Sequence, residues 1–284
     1  MTEKVLLTGY TSFIGSHVAD LLMQDSKYEL VGFTGDICDK GDVVRNLRGV
    51  DTVLHLAALT YLPPSWTSPH AYMDVNYGGT LNLLENSSMF TRFVYFSTSH
   101  VYGNAVRLPI QITDRPLPDD PYSIAKFAAE EAIRVYSKRF GFKALVIRPF
   151  NNFGPRQSKH FVVPTFCLQA LRDKKVVVRG DTRRELIFVK DTAKIVKSLL
   201  DHGDEGLVQI ARGESFSMSH VALTIAALAG IGREAVKVEA PYRETDIQEL
   251  KGSPSSLLAR LPHFKFVSLE EGLSQTFDWY KQQA

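Results

Sequence analysis

Lys4-Val5-Leu6-Leu7-Thr8-Gly9-Tyr10-Thr11-Ser12-Phe13-Ile14-Gly15 opens with a short apolar run and passes through a glycine-bounded turn. It then enters a helical pattern that continues with Val18, Leu21 and Leu22. An apolar run without polar alternation reads as a strand buried on both faces, as in a parallel sheet. Strand, glycine turn and helix in that order open a dinucleotide-binding domain, because the turn's amides and the helix N-terminus together hold a pyrophosphate. Gly9 makes the tight turn, and Gly15 lets helix pack on strand. Ser12 stands where a second glycine is expected. Its side chain meets the ligand at the point of closest backbone approach, so it must either hydrogen-bond a phosphate or weaken binding.

The strands that follow keep to this pattern. Tyr28 to Phe33 reads as the second, and an acidic residue near its end would bind the cofactor's ribose hydroxyls. Here the acid arrives late, at Asp36, and no arginine stands ready for a 2′-phosphate. NAD is the cofactor expected, with NADP not excluded. Thr52-Val53-Leu54-His55-Leu56 is another buried strand, ending in Ala57-Ala58, small residues that suit a backbone lying against a flat ligand. His55, inside an apolar strand, reads as packed rather than catalytic. Pro63-Pro64 and Pro69 break a loop before a helix carrying Val75, Leu81, Leu83 and Leu84. Phe93-Val94-Tyr95-Phe96 then leads to Ser97-Thr98-Ser99-His100, whose hydroxyls would face the ligand crevice at the carboxyl edge of the sheet.

Within Asp120-Pro121-Tyr122-Ser123-Ile124-Ala125-Lys126, Tyr122 and Lys126 are four residues apart and share one helix face. A free phenol titrates near ~10 and a lysine near ~10.4, so neither is a useful acid or base alone at neutral pH. A fixed positive charge beside the phenol in a dry site would bring its phenolate within reach. The same spacing also occurs at ordinary exposed helix starts, and the surrounding motifs decide between the two.

Composition narrows the field. The chain has 284 residues, 44% of them hydrophobic, and a net charge of +2, which gives no reason to expect a nucleic-acid partner. Cys38 and Cys167 have no metal-type spacing, and two cysteines in such a length suggest a reduced, cytoplasmic protein. The start runs straight into a strand, so no signal peptide is expected, and no apolar run approaches the ~20 residues of a membrane span.

Five motifs together resemble the extended short-chain dehydrogenase/reductases, the group of nucleotide-sugar epimerases, dehydratases and 4-keto-sugar reductases. They are Thr8 to Gly15, His55 to Ala58, Phe96 to Gly103, Tyr122 with Lys126, and Arg148-Pro149-Phe150-Asn151-Asn152-Phe153-Gly154-Pro155. The resemblance covers nearly the whole chain. It implies an α/β fold: a Rossmann-type doubly wound parallel sheet with a smaller C-terminal α/β substrate-binding domain. Residues 1–154, with 184–212 returning, would bind the cofactor; 155–183 and 213–284 would bind a nucleotide-diphospho-sugar.

By that resemblance Tyr122 is the acid/base on a sugar hydroxyl, Lys126 binds the nicotinamide ribose, and Thr98 shares a hydrogen bond with the reacting oxygen. Gly9, Ser12, Phe13, Ile14, Gly15, Leu56, Ala57 and Ala58 line the cofactor. Asp36 and Ile37 hold its adenine, and Phe150 lies near the nicotinamide. Ser99, Asn151, Arg184, Arg243 and Asp246 contact the substrate, the arginines through its phosphates. Ser99-His100 stands where 4,6-dehydratases carry Asp-Glu, which argues against that elimination. His100 offers a second acid/base. In the family's epimerase-reductases a cysteine at this position works with a histidine near Val162-Val163-Pro164 to invert carbons flanking the ketone, and His160 is displaced by one residue from that histidine. The function expected is a nucleotide-sugar 4-epimerase, with a 4-keto-6-deoxysugar reductase or epimerase-reductase as alternative. A non-catalytic cofactor sensor on the same fold is the rival class; such proteins typically lose the tyrosine or the lysine. The resemblance also implies a homodimer through the Tyr122 and Val75–Leu84 helices, with Ala125, Ala128, Ala129 and Ala132 permitting close packing. No metal is expected.

Overall fold

The computed structural model describes residues 2–105, 107–240 and 247–283. The chain forms two compact units: Met1–Val106, Ile112–Pro149 and Ala193–Ile210 make one, and Arg107–Gln111, Phe150–Thr192 and Ala211–Ala284 the other.

In the first unit β1 (Glu3–Thr8), α1 (Phe13–Met23), β2 (Tyr28–Gly32), α2 (Lys40–Asn46) and β3 (Thr52–His55) follow in turn. Pro69–Tyr72 and a wide turn at Met73–Gly78 lead into α3 (Gly79–Leu84). Then come β4 (Arg92–Phe96), α4 (Pro121–Phe140), β5 (Lys143–Pro149), α5 (Val189–Asp201), which joins this unit from Ala193 on, and β6 (Gly206–Ile210). The six strands are parallel, in the order β6-β5-β4-β3-β1-β2. Val5, Leu6, Leu7, Phe93, Val94 and Tyr95 are fully buried, as strands covered on both faces require. The chain leaves β1 for β2 on one side and returns for β3 on the other. The carboxyl ends of β1 and β3 therefore flank the switch point where such sheets bind ligands. Among the described residues only β2 lies beyond β1, whereas the usual dinucleotide-binding order places two strands there.

Helix α4 starts where it does for local reasons. Pro121 occupies the first turn, where its missing amide costs nothing. The Asp120 carboxylate accepts the Ser123 amide at 2.8 Å, and Ser123 Oγ accepts the Asp120 amide at 3.3 Å. Gly141, at φ 79°, ends it. Tyr122 is thereby fixed in the first turn.

In the second unit Asn151–Phe153 pairs with Leu186–Phe188, and Val176–Arg179 with Val236–Glu239. Arg183–Arg184 lies between Phe216–Ser217 and Glu249–Leu250. Helices Val162–Arg172, Met218–Leu228 and Leu269–Gln283 enclose a core that includes Phe153, Phe166, Val221, Leu273 and Phe277. The expected division assigned 150–154 and 184–212 to the cofactor domain; of these, only 193–210 cluster with the large sheet. The pairing of Asn151–Phe153 with Leu186–Phe188 is the cause, since it holds both segments in the second unit.

Candidate active site

At the carboxyl end of β1 both glycines are sterically required. Gly9 has φ +69°, and a Cβ there would stand 2.9 Å from the Ala57 amide nitrogen; one on Gly15 would stand 2.1 Å from the Gly9 carbonyl oxygen. The turn thus lies against Ala57 and the helix against the turn, a cradle that a side chain would fill. Ser12 is the N-cap of α1, its hydroxyl accepting the Gly15 amide at 3.2 Å. Its oxygen therefore occupies one of the first-turn amides. Phe13 and Ile14 are half-buried, Phe13 edge-on to His17.

The turn is tied to β3 by a chain of buried hydrogen bonds. Thr8 Oγ1 accepts the amides of Leu56 at 3.1 Å and Ala57 at 3.0 Å, so its own hydrogen goes to His55 Nδ1, 2.7 Å away. Thr80 Oγ1 gives its hydrogen to the Asn76 carbonyl at 2.7 Å, so it accepts from His55 Nε2 at 3.0 Å. Only the neutral imidazole with its proton on Nε2 satisfies both ends. Burial agrees, pushing His55 down to about 3, with the Lys126 charge adding to the effect. His55 is packed and structural, and it holds the cradle.

Beyond β2, Asp36 Oδ1 accepts the Cys38 amide at 2.9 Å and its own amide donates to Asp42 at 2.8 Å. Ile37 is buried against Gly79, where a Cβ would meet Ile37 Cγ2 at 2.8 Å. Its side chain belongs to the core rather than to an open adenine face.

Several sequence-predicted residues meet at the carboxyl end of β4. Thr98 accepts the His100 amide at 3.2 Å, opening the short turn Ser99–Tyr102, and its hydroxyl lies beside the Tyr122 phenol. Ser99 is buried. The His100 ring stands edge-on to Tyr122 with centroids 6.1 Å apart, and Tyr72 does so from another side at 6.4 Å. Burial pushes Tyr122 up to about 12, opposed by the Thr98 bond and reinforced by Asp120 and Tyr72. Lys126 is buried and donates to the Phe96 carbonyl, its Nζ 4.2 Å from the Tyr95 ring centroid. Burial holds Lys126 down to about 7, with Glu130 opposing. The sequence leads one to expect an ammonium that acidifies the phenol. Here strand β4 holds the ammonium and burial dominates the phenol.

In the second unit, the Phe150 ring is buried over Gly252, where a Cβ would stand 2.3 Å from Phe150 Cε2. Asn151 is half-buried on its strand, and Arg184 donates to the Arg183 carbonyl at 2.9 Å. Beside it the buried Glu185 accepts the amides of Gly252 at 2.6 Å, Gly213 at 3.2 Å and Arg212. Burial outweighs these bonds and pushes its carboxyl up to about 7. His160 is exposed. Arg243 and Asp246 lie outside the described residues.

A family model for the NAD dependent epimerase/dehydratase family matches residues 5–211. This chain belongs to that family. As a member it is similar to GDP-6-deoxy-D-mannose reductase of Pseudomonas aeruginosa, 30% identical over 280 residues that cover 90% of each chain. Among solved structures, RMD from Pseudomonas aeruginosa complexed with NADPH superposes with a TM-score of 0.92 at 25% identity, covering 100% of both chains. UDP-glucose 4-epimerase from Thermotoga maritima, solved with UDP-glucose, gives 0.92 at 27% identity over 99% of both. Relatives in the family are NAD(P)-dependent nucleotide-sugar epimerases, dehydratases and reductases. Among the described residues no histidine, cysteine or carboxylate cluster is suited to a metal, and no helix is long and apolar enough to cross a membrane.

Sequence reasoning missed the buried network behind this site. Glu130, on the same α4 face as Tyr122 and Lys126, accepts from Ser97 Oγ and from Arg148 Nη2 at 2.5 Å and Nε at 3.0 Å. Arg148 also donates to the Tyr102 hydroxyl at 2.9 Å, and Tyr102 donates to Gln209 at 3.2 Å. The signal available was an acid continuing the stripe of Tyr122 and Lys126 by one more turn.

Proposed function

We propose that this protein is a nucleotide-diphospho-sugar oxidoreductase that reduces a ketone at the sugar's fourth carbon with NAD(P)H. The observation carrying this reading is the Tyr122 phenol, buried at the carboxyl edge of the sheet beside the Thr98 hydroxyl. The glycine cradle fits a dinucleotide's pyrophosphate, with Gly9, Ser12 and Gly15 at the phosphates and Ala57 and Ala58 alongside. A bound nicotinamide supplies the hydride. Tyr122 gives its proton to the oxygen that becomes the hydroxyl, and Thr98 shares that hydrogen bond through the reaction. Lys126 would hold the nicotinamide ribose. Asn151, Arg184, Arg243 and Asp246 would hold the nucleotide sugar, a planar guanidinium suiting each phosphate. His100 shapes the pocket beside Tyr122.

Two features favour reduction. The likeness to GDP-6-deoxy-D-mannose reductase extends over 90% of both chains. The end of β2 offers no carboxylate to retain a cofactor, and a reductase must exchange its cofactor at every turnover. The second reading is the 4-epimerase, supported by the likeness to UDP-glucose 4-epimerase. A homodimer in the cytoplasm fits either reading. Ala125 and Ala129 are fully buried within their own unit, so a partner helix would meet Ile124 and Ala128 instead.

The test is to release and measure bound NAD(H) from purified protein, then to follow NAD(P)H consumption with a nucleotide-diphospho-4-keto-6-deoxysugar. An empty site with substrate-dependent consumption is expected. Stoichiometric NAD(H) with interconversion of UDP-glucose and UDP-galactose would establish the epimerase instead.

A further inference from the structure

Gly32 closes β2 opposite Leu7, and the ring of Tyr10 lies on it. A Cβ at position 32 would stand 2.8 Å from Cδ1 and 2.9 Å from Cε1 and Cγ of Tyr10. The backbone does not demand this glycine, since its φ is not positive; the ring does. Contact at Cγ reaches the root of the side chain, so bending the tip away gives no relief. Tyr10 remains 38% exposed, part of the residue still open to solvent.

In a dinucleotide-binding domain this is where the adenosine ribose is read, by a carboxylate at the end of the second strand. Residues 32–35 here are Gly-Phe-Thr-Gly. Phe33 turns into the core with Ile37 and Val43. Thr34 has its amide and carbonyl taken by the side chain of Asn46, at 3.0 and 2.8 Å. The carboxylate of Asp36 accepts the Cys38 amide, and that of Asp42 is shared between the Asp36 amide and Arg45.

We propose that Tyr10, lying on Gly32, stands in for the missing carboxylate and makes the site indifferent to a phosphate on the adenosine ribose, so that NAD(H) and NADP(H) both bind. A carboxylate at this place accepts from a free 2′-hydroxyl and repels a 2′-phosphate. An aromatic ring brings no carboxylate to repel a phosphate, and its hydroxyl can donate to either group. The inference deepens the reading of this chain as a dinucleotide-dependent oxidoreductase and rests on it.

Calorimetric titration of the purified protein with NADH and NADPH, without sugar, gives both dissociation constants directly. They are expected to agree within about thirtyfold, roughly 2 kcal/mol, and a wider gap overturns the proposal. Gly32→Asp alone is expected to lower the melting temperature by several degrees, because its Cβ meets the ring. The double variant Tyr10→Ala, Gly32→Asp is expected to regain that stability and shift the affinity ratio toward NADH by about tenfold or more. A double variant that stays unstable, or whose ratio moves less, overturns the assignment to Tyr10. If neither cofactor binds the wild type, the dinucleotide reading falls together with the proposal. If both bind and no 4-keto sugar is reduced, only the proposed reaction falls.

Discussion

The Nζ of Lys126 lies 4.2 Å from the ring centroid of Tyr95 and donates to the carbonyl of Phe96, so strand β4 holds the ammonium that helix α4 carries. A cation over an aromatic face is attracted by the ring's quadrupole, and the carbonyl gives it one further acceptor. His55 on β3, Tyr95 on β4, and Tyr122 and Glu130 on α4 are the titratable groups around this cluster, with Arg148 of β5 behind Glu130.

This placement makes stability depend on pH in a defined direction. Burial holds the folded Lys126 down to about 7, against 10.5 for an exposed lysine. Between those values the unfolded chain binds a proton that the folded chain does not, so stability from this group rises with pH across the window. Lys126→Met removes the burden. The variant is expected to exceed the wild type in urea stability near pH 7 and to lose that advantage toward pH 10. Other groups titrate in both proteins and cancel in the difference. An advantage equal at both pH values would refute the assignment.

The buried pair Glu130–Arg148 should be costly to break from one side. Both side chains are almost fully buried, and the carboxylate also accepts from Ser97, one residue before Thr98. Removing one partner strands a charge, which typically costs about 3–5 kcal/mol. Arg148→Met and Glu130→Ala are each expected to lose that much in denaturant unfolding. The double variant should lose less than the sum of the two. Strict additivity in this cycle would show that the pair does not act as a unit.

The parts of the fold legible in the sequence are those decided locally. Gly9 and Gly15 are needed because backbone meets backbone within one strand–turn–helix unit, and spacing alone puts Tyr122 and Lys126 on one face. The parts that were not legible depend on segments distant in sequence. Spacing places the Cβ of Lys126, but Phe96 decides where its ammonium goes. Glu130 has no assigned role in the sequence, because its partners Arg148 and Ser97 are brought to it by β5 and β4. Ala125 and Ala129 read as a docking face although α4 turns them inward. Asn151 falls within the 1–154 expected for the cofactor domain, but its strand pairs with Leu186–Phe188 in the second unit.

His55 should remain a neutral imidazole across the physiological range. Its ring is fixed between a donor at Thr8 and an acceptor at Thr80, and burial lowers it to about 3. Nitrogen-15 spectra of the histidine side chains are expected to show one ring with its proton on Nε2 and no titration between about pH 5 and 8. Below 6.5 the unfolded chain takes up a proton that the folded ring refuses. Stability from this group is therefore present above 6.5 and declines as pH falls toward 3. His55→Gln should flatten that acid limb. A ring titrating near 6.5, or one protonated on Nδ1, would contradict the hydrogen-bond chain.

Tyr122→Phe separates proton transfer from everything else the site does. The substitution keeps the ring that packs against Tyr72 and His100 and removes only the hydroxyl that meets Thr98. Dinucleotide affinity and melting temperature should therefore stay near wild type, while kcat falls by about 10²–10⁴, the usual contribution of a positioned acid. Thr98→Val should give a smaller loss, because the phenol would keep its proton and lose only the partner that steadies it. Single-turnover reduction monitored by nicotinamide absorbance checks both. If Tyr122→Phe turned over at the wild-type rate, the proton would have to come from elsewhere. His100, edge-on to the same ring, would be the next group to replace, with asparagine, while solvent deuterium uptake beside the ketone is followed.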